Sequence, residues 1–152
     1  MKIRIEISDT GEEEIVIRCR ERNETIALLE KTVEGIVRGG GELTLYLDST
    51  EFYVPKEDIL FFESLDGKVY AHTADRMFVT HMKLFEVEDC MPSYFVRIAK
   101  STVANCKRIS ALRREIMGNG EIMFRHSDKK AYFSRNYYKI LKDKIDEIRF
   151  SK

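Results

Sequence analysis

The cationic side chains have the clearest chemistry in this sequence. Residues 95–152 carry 15 Lys and Arg against 6 Asp and Glu, whereas residues 1–94 carry 11 against 20. The net charge of zero therefore divides into −9 and +9. A neutral chain with one strongly basic end has the electrostatic footprint of a polyanion binder, because ammonium and guanidinium groups pair with phosphates and release the counterions condensed on them. A solvated basic face gives the same count, so charge alone leaves both readings open.

Other reactive residue types are scattered. His72, His81 and His126 show no metal-ligand spacing, and Cys19, Cys90 and Cys106 form no CxxC pair. Three reduced thiols, mostly buried, and no metal site or cofactor are the expectation. The triple glycine Gly39-Gly40-Gly41 lacks the following Gly-Lys-Ser/Thr of a phosphate loop, and a helical pattern precedes it where a dinucleotide loop needs a strand. It reads as a helix terminator and domain boundary. Ser101 and Ser134 stand in no nucleophile motif, so the chain is expected to be no enzyme and to have no small-molecule substrate.

The elements that must position the basic residues are mostly strands. Lys2 to Ile7 and Ile15 to Arg20 alternate as a hairpin would, and Asn23 is a good N-cap for a helix carrying Ile26, Leu29, Val33, Ile36 and Val37. Beyond the glycines, Leu43–Leu47, Glu51–Val54, Ile59–Glu63, Lys68–Thr73 and Met77–Thr80 read as short strands punctuated by Asp48-Ser49, Pro55 and Asp66-Gly67. The stretch from Lys83 to Met91 suits an amphipathic helix stopped by Pro92, with Leu84, Val87 and Met91 inward. Strands resume at Phe95–Ile98, Arg108–Arg114, Glu121–His126 and Ala131–Phe133, with Asn119-Gly120 as a hairpin signal. Ser134 then reads as the N-cap of a last helix with Tyr137, Ile140, Leu141 and Ile145 on one face. No stretch approaches the roughly 18 apolar residues of a membrane helix, and the N-terminus does not resemble a signal peptide, so a cytoplasmic protein is expected.

Four blocks now fall in a recognisable order: Ile59-Leu60-Phe61-Phe62-Glu63-Ser64, Leu84-Phe85-Glu86-Val87-Glu88, Phe95-Val96-Arg97-Ile98-Ala99-Lys100-Ser101-Thr102-Val103-Ala104-Asn105, and Phe133-Ser134-Arg135-Asn136-Tyr137. From about Leu43 to Ile145 the chain resembles the LytTR-type DNA-binding domain, a bacterial family. The resemblance implies a mostly β, α+β fold of elongated antiparallel sheets with a small helix and a C-terminal helix. It also implies loops at one edge of the sheets that enter the major groove of duplex DNA. Residues 43–148 form this expected domain, and residues 1–42 a β-β-α unit ahead of it.

Carried over by position, the family's DNA-reading sites fall on the Asp66-Gly67-Lys68 turn, on Lys100 with Ser101 beside it, and on Arg135 with Asn136 and Lys139 following. A guanidinium at Arg135 suits bidentate pairing with guanine, whereas Lys100 suits a phosphate. Asn105, after a short turn, reads as a backbone-bonding structural residue.

The family's habit of occupying paired direct-repeat sites implies a homodimer, which the N-terminal unit would support. The resemblance also allows for a membrane-protein inhibitor. The roughly forty residues ahead of Leu43 are too few for the receiver domain that many members carry, so control by aspartyl phosphorylation is not expected. Two other partners suit a basic end. Unpaired RNA could stack on Phe124, Tyr132, Phe133, Tyr137 and Tyr138, and an acidic protein could dock by charge complementarity.

Overall fold

The structure, a computed structural model, describes residues 2–11, 13–37 and 40–150. Its short alternating runs pair into two antiparallel sheets. The larger holds β1 (Glu42–Leu47), β2 (Thr50–Pro55), β3 (Phe61–Leu65), β4 (Lys68–His72), β5 (Met77–Thr80), β6 (Phe95–Ala99) and β7 (Thr102–Asn105), in the order β2-β1-β5-β4-β3-β7-β6. The smaller is a meander of β8 (Ile109–Arg114), β9 (Gly120–Phe124) and β10 (Lys130–Phe133), in the order β10-β9-β8. Two-residue turns set the register. Leu65 pairs with Lys68, and Asp66 and Gly67 both take positive φ (51° and 79°), as the type I′ hairpin turn requires.

Period-two alternation explains the two cores. Phe61 and Phe62 are both buried although they point to opposite faces of β3, which lies inside the large sheet. Phe62 joins Leu45, Ile59, Val69, Phe78, Phe95 and Val103 under the helix α2 (Leu84–Cys90), which contributes Leu84 and Val87. Phe61 joins Leu60, Ile98, Ile122, Phe124 and Phe133 between the large sheet, the meander and the C-terminal helix α3 (Tyr138–Phe150), which contributes Leu141. α2 is capped where the Lys83 N–H donates to Glu86 Oε1 at 3.1 Å, and it ends at Met91, ahead of Pro92.

Several expectations need correcting. The N-terminal hairpin is not formed: neither 2–7 nor 15–20 is a strand, and Ile3, Ile5, Ile7, Ile15 and Val16 are exposed. A lone two-stranded hairpin is marginal in water, and among the described residues these apolar side chains stay largely exposed. The helix itself, α1 (Glu24–Val37), is present, and Asn23 Oδ1 accepts the Ile26 N–H at 3.0 Å. It buries no residue. Gly39 lies outside the described residues, and Gly40 and Gly41 follow with positive φ, as a terminator should.

The thiols are mostly exposed, not buried. Cys19 sits in the N-terminal segment and Cys90 at the open end of α2, and Cys106 alone is buried. Burial pushes the Cys106 thiol up to about 12, which keeps it protonated and unreactive.

The strand β7 was not visible as a strand in sequence. Its run Thr102-Val103-Ala104-Asn105 is buried at every position, so no alternation marks it. The Asn119-Gly120 pair is not a two-residue turn. The connection between β8 and β9 is the five-residue loop 115–119, and Gly120 opens β9 because a Cβ there would stand 2.0 Å from the Arg113 carbonyl oxygen. Among the described residues no helix is long and apolar enough to cross a membrane.

Candidate nucleic-acid interface

Antiparallel pairing decides which loops meet. Glu63 pairs with Thr102, so the β3–β4 turn and the β6–β7 turn emerge at the same end of the large sheet. The Ser64 N–H donates to the Ser101 carbonyl at 2.8 Å and ties those two turns together. The Ser134 N–H donates to the Ile98 carbonyl at 2.9 Å, which brings the end of β10 to the same place. Phe133 pairs with Gly120, so the loop 115–119 belongs to this end as well.

Four loops thus form one rim, and they bring Lys68, Lys100, Ser101, Arg135 and Asn136 to it, all exposed. Among the described residues neither Lys68, Lys100 nor Arg135 has a carboxylate within ion-pair distance. Lys139 stands further along α3 and faces Asp143 at 3.7 Å, so it is the least available of the expected contacts. Asp66 stays exposed on the β3–β4 turn.

Nearby cations are held instead of offered. Arg97 makes a two-pronged contact with Glu88 on α2 (Nε to Oε1 2.8 Å, Nη2 to Oε2 3.1 Å), and its Nη1 donates to the Lys100 carbonyl at 2.5 Å. Its pKa is held above the usual arginine value, chiefly by the bond to Glu88. Arg97 is therefore a strut that fixes the turn bearing Lys100. In the meander, the buried carboxylate of Glu121 receives Arg113 at 3.1 Å and Lys130 at 3.6 Å.

Sequence reasoning missed three supports of this rim: Arg97 with Glu88, Asn119 and Gly118. Asn119 Oδ1 accepts the Arg135 N–H at 2.8 Å, whereas Ser134, expected as the cap, makes no side-chain cap bond. The helix start is also a 3-10 turn, Arg135–Tyr137, leading into α3. Only the Asn119-Gly120 pair gave a signal, and it pointed to a turn type that is not there.

Asn105 is structural, as expected. It is fully buried, donates to the Glu57 and Ile59 carbonyls at 3.2 and 2.9 Å, and accepts the Lys107 N–H at 3.0 Å. Between the sheets, His72 Nε2 lies 2.7 Å from Glu63 Oε1, and Lys129 Nζ lies 3.3 Å from His72 Nδ1. Burial outweighs the Glu63 bond and, with the Lys129 charge, holds the His72 pKa below 6.5. Among the described residues no three His, Cys, Asp or Glu side chains gather as a metal site.

Comparison with known proteins agrees with the fold. Residues 49–146 match the LytTr DNA-binding domain family. The chain is 31% identical over 101 residues to an uncharacterised HTH-type transcriptional regulator of Staphylococcus aureus strain NCTC 8325, covering 66% of this chain and 67% of that protein. The counterpart in strain MRSA252 is 30% identical over the same coverage. The fold matches a solved LytTr DNA-binding domain from Bacillus cereus with a TM-score of 0.64 at 19% identity, over 70% of this chain and 98% of that one. This chain belongs to the LytTr DNA-binding domain family. That family is a β-rich DNA-binding domain and not an enzyme family.

Proposed function

We propose that this protein is a transcription regulator that binds duplex DNA sequence-specifically, with the loop rim entering the major groove. The carrying observation is the convergence of four loops that leave Lys68, Lys100 and Arg135 exposed without carboxylate partners among the described residues. In this reading Arg135 reads a guanine through its planar fork, Asn136 lies beside it, and Lys68, Lys100 and Ser101 hold phosphates. Lys139 contributes to the local field. The regulators of S. aureus that this chain resembles support a role in transcription.

Burial argues for duplex over unpaired RNA. Phe124 and Phe133 are inside the second core, and Tyr138 packs on Phe133 and under Arg114, so these rings offer no stacking platform. Tyr132 alone of the five is largely exposed.

The test is selection of bound sequences from a random duplex pool at near-physiological salt, with Arg135→Ala alongside. The expected result is an enriched motif that loses its preference at one base pair in the variant. Folded protein that enriches nothing would overturn sequence-specific reading. The exposed apolar residues of the N-terminal segment and of α1, including Leu28, Ile36 and Val37, support a homodimer, which would occupy paired direct repeats. Sedimentation should show twice the chain mass, and a monomer at all concentrations would refute the dimer.

A further inference from the structure

The first N–H groups of a helix have no partner within it and need an outside acceptor. Ser134 occupies the N-cap position with extended backbone (φ −93°, ψ 149°), yet its hydroxyl makes no cap bond. The acceptor comes from the loop 115–119: Asn119 Oδ1 takes the Arg135 N–H at 2.8 Å. That loop is closed on itself, since the Glu115 N–H donates to the Asn119 carbonyl at 2.8 Å and the Gly118 N–H to the Glu115 carbonyl at 2.9 Å.

The same loop also shapes the side chain of Arg135. Gly118 is buried and left-handed (φ 93°), a conformation that costs glycine nothing. A Cβ at this position would stand 2.6 Å from Arg135 Cγ, 2.8 Å from Cδ and 3.2 Å from Cβ. The arginine stem therefore lies across bare backbone, which holds it from one side while the guanidinium stays exposed. Main chain and stem of one residue are constrained by two adjacent residues of another loop.

We infer that Asn119 and Gly118 are positioning residues that seat Arg135, fixing the direction from which its guanidinium meets a base edge. The inference rests on the reading of Arg135 given above. Bidentate recognition depends on the plane and angle of the guanidinium, so a looser seat lowers discrimination before it lowers attraction to phosphate. An ordinary capping role would behave differently: its loss would lower stability and weaken binding to all sequences evenly.

The experiment compares base preference, position by position, in a random duplex pool for the wild type, Arg135→Ala, Asn119→Ala, Gly118→Ala and Asn119→Asp, with melting curves for each. Asn119→Ala and Gly118→Ala are expected to lose at least about fivefold of the preference at the base pair that Arg135→Ala affects. The rest of the motif should be unchanged. Asn119→Asp keeps the acceptor and should keep that preference, while its added charge weakens binding to every sequence. Both loop variants keeping full preference, or losing it evenly along the site, overturns the inference while the Arg135 reading stands. If Arg135→Ala itself leaves every preference intact, that reading falls and this inference falls with it. Should Asn119→Ala fail to fold, Gly118→Ala and Asn119→Asp decide the matter by the same criterion.

Discussion

Arg97 and Arg135 both stand at the loop end of the domain, yet their surroundings differ. Arg97 is gripped by Glu88 and bonds the Lys100 carbonyl, whereas Arg135 is exposed, with no carboxylate partner among the described residues. The same contrast separates Arg113 and Lys130, which share Glu121, from Lys68 and Lys100 on the rim. A paired cation has its charge cancelled locally and its rotamers fixed, so it braces the fold. An unpaired one keeps its charge for a ligand. The charge of +9 on residues 95–152 already counts Glu121, and Glu88 from outside the segment offsets Arg97 as well, so the rim cations are the better measure of what is offered to DNA.

The sharpest way to break this distinction is at Arg135. Arg135→Ala should lose about 1–3 kcal/mol of discrimination at one base, measured by competition between duplexes, while the melting temperature moves by no more than about 2 °C. Glu121→Gln should do the reverse. It leaves Arg113 and Lys130 facing a neutral group, and denaturant unfolding should report a loss of about 1–2 kcal/mol with base preference intact. Altered preference in this variant would mean that the meander takes part in readout.

Arg97 lies between the two classes, since it braces the turn that carries Lys100. Arg97→Ala should cost about 1 kcal/mol of stability, because the Glu88 pair is partly solvent-screened, and should weaken binding to all duplexes together. Arg97→Lys should not restore it, since an ammonium cannot reproduce the two-pronged contact. At Lys100 the change should be electrostatic only. Lys100→Ala is expected to lower the slope of log affinity against log salt by about 0.9, with no change of motif.

The smallest effect concerns the histidine between the sheets. Burial holds the His72 pKa below 6.5, so the unfolded chain takes up a proton that the folded chain resists. Its contribution to stability is complete above 6.5 and is lost as pH falls towards the folded value. Melting temperature should decline by a few degrees between about pH 7 and pH 5.5, and His72→Gln should flatten that decline. An unchanged slope in the variant would assign the decline to other groups.

Much of the fold was legible because the signals are local. Alternation marked Phe95–Ile98 within the strand Phe95–Ala99, helical spacing marked α2 with Leu84 and Val87 inward, and Asp66-Gly67 demanded a tight turn. The failures have physical causes too. β7 is buried on every side and carries no period, and the alternating segments at 2–7 and 15–20 pair with no strand among the described residues and stay largely exposed. At the candidate site, Lys100 and Arg135 were legible through motif order, but their supports were not. Glu88 and Arg97 meet across nine residues, and Asn119 reaches Arg135 across sixteen, contacts that no periodicity encodes.

By itself, the sequence determined the basic C-terminal segment, the strand-rich pattern and the family, since residue type and short-range order are written in it directly. Only the tertiary structure decided which cations are neutralised and which are free, because that depends on carboxylates brought from other strands and helices. It also decided how Arg135 is held, because its cap and its seat belong to a loop that antiparallel pairing carries to the same rim.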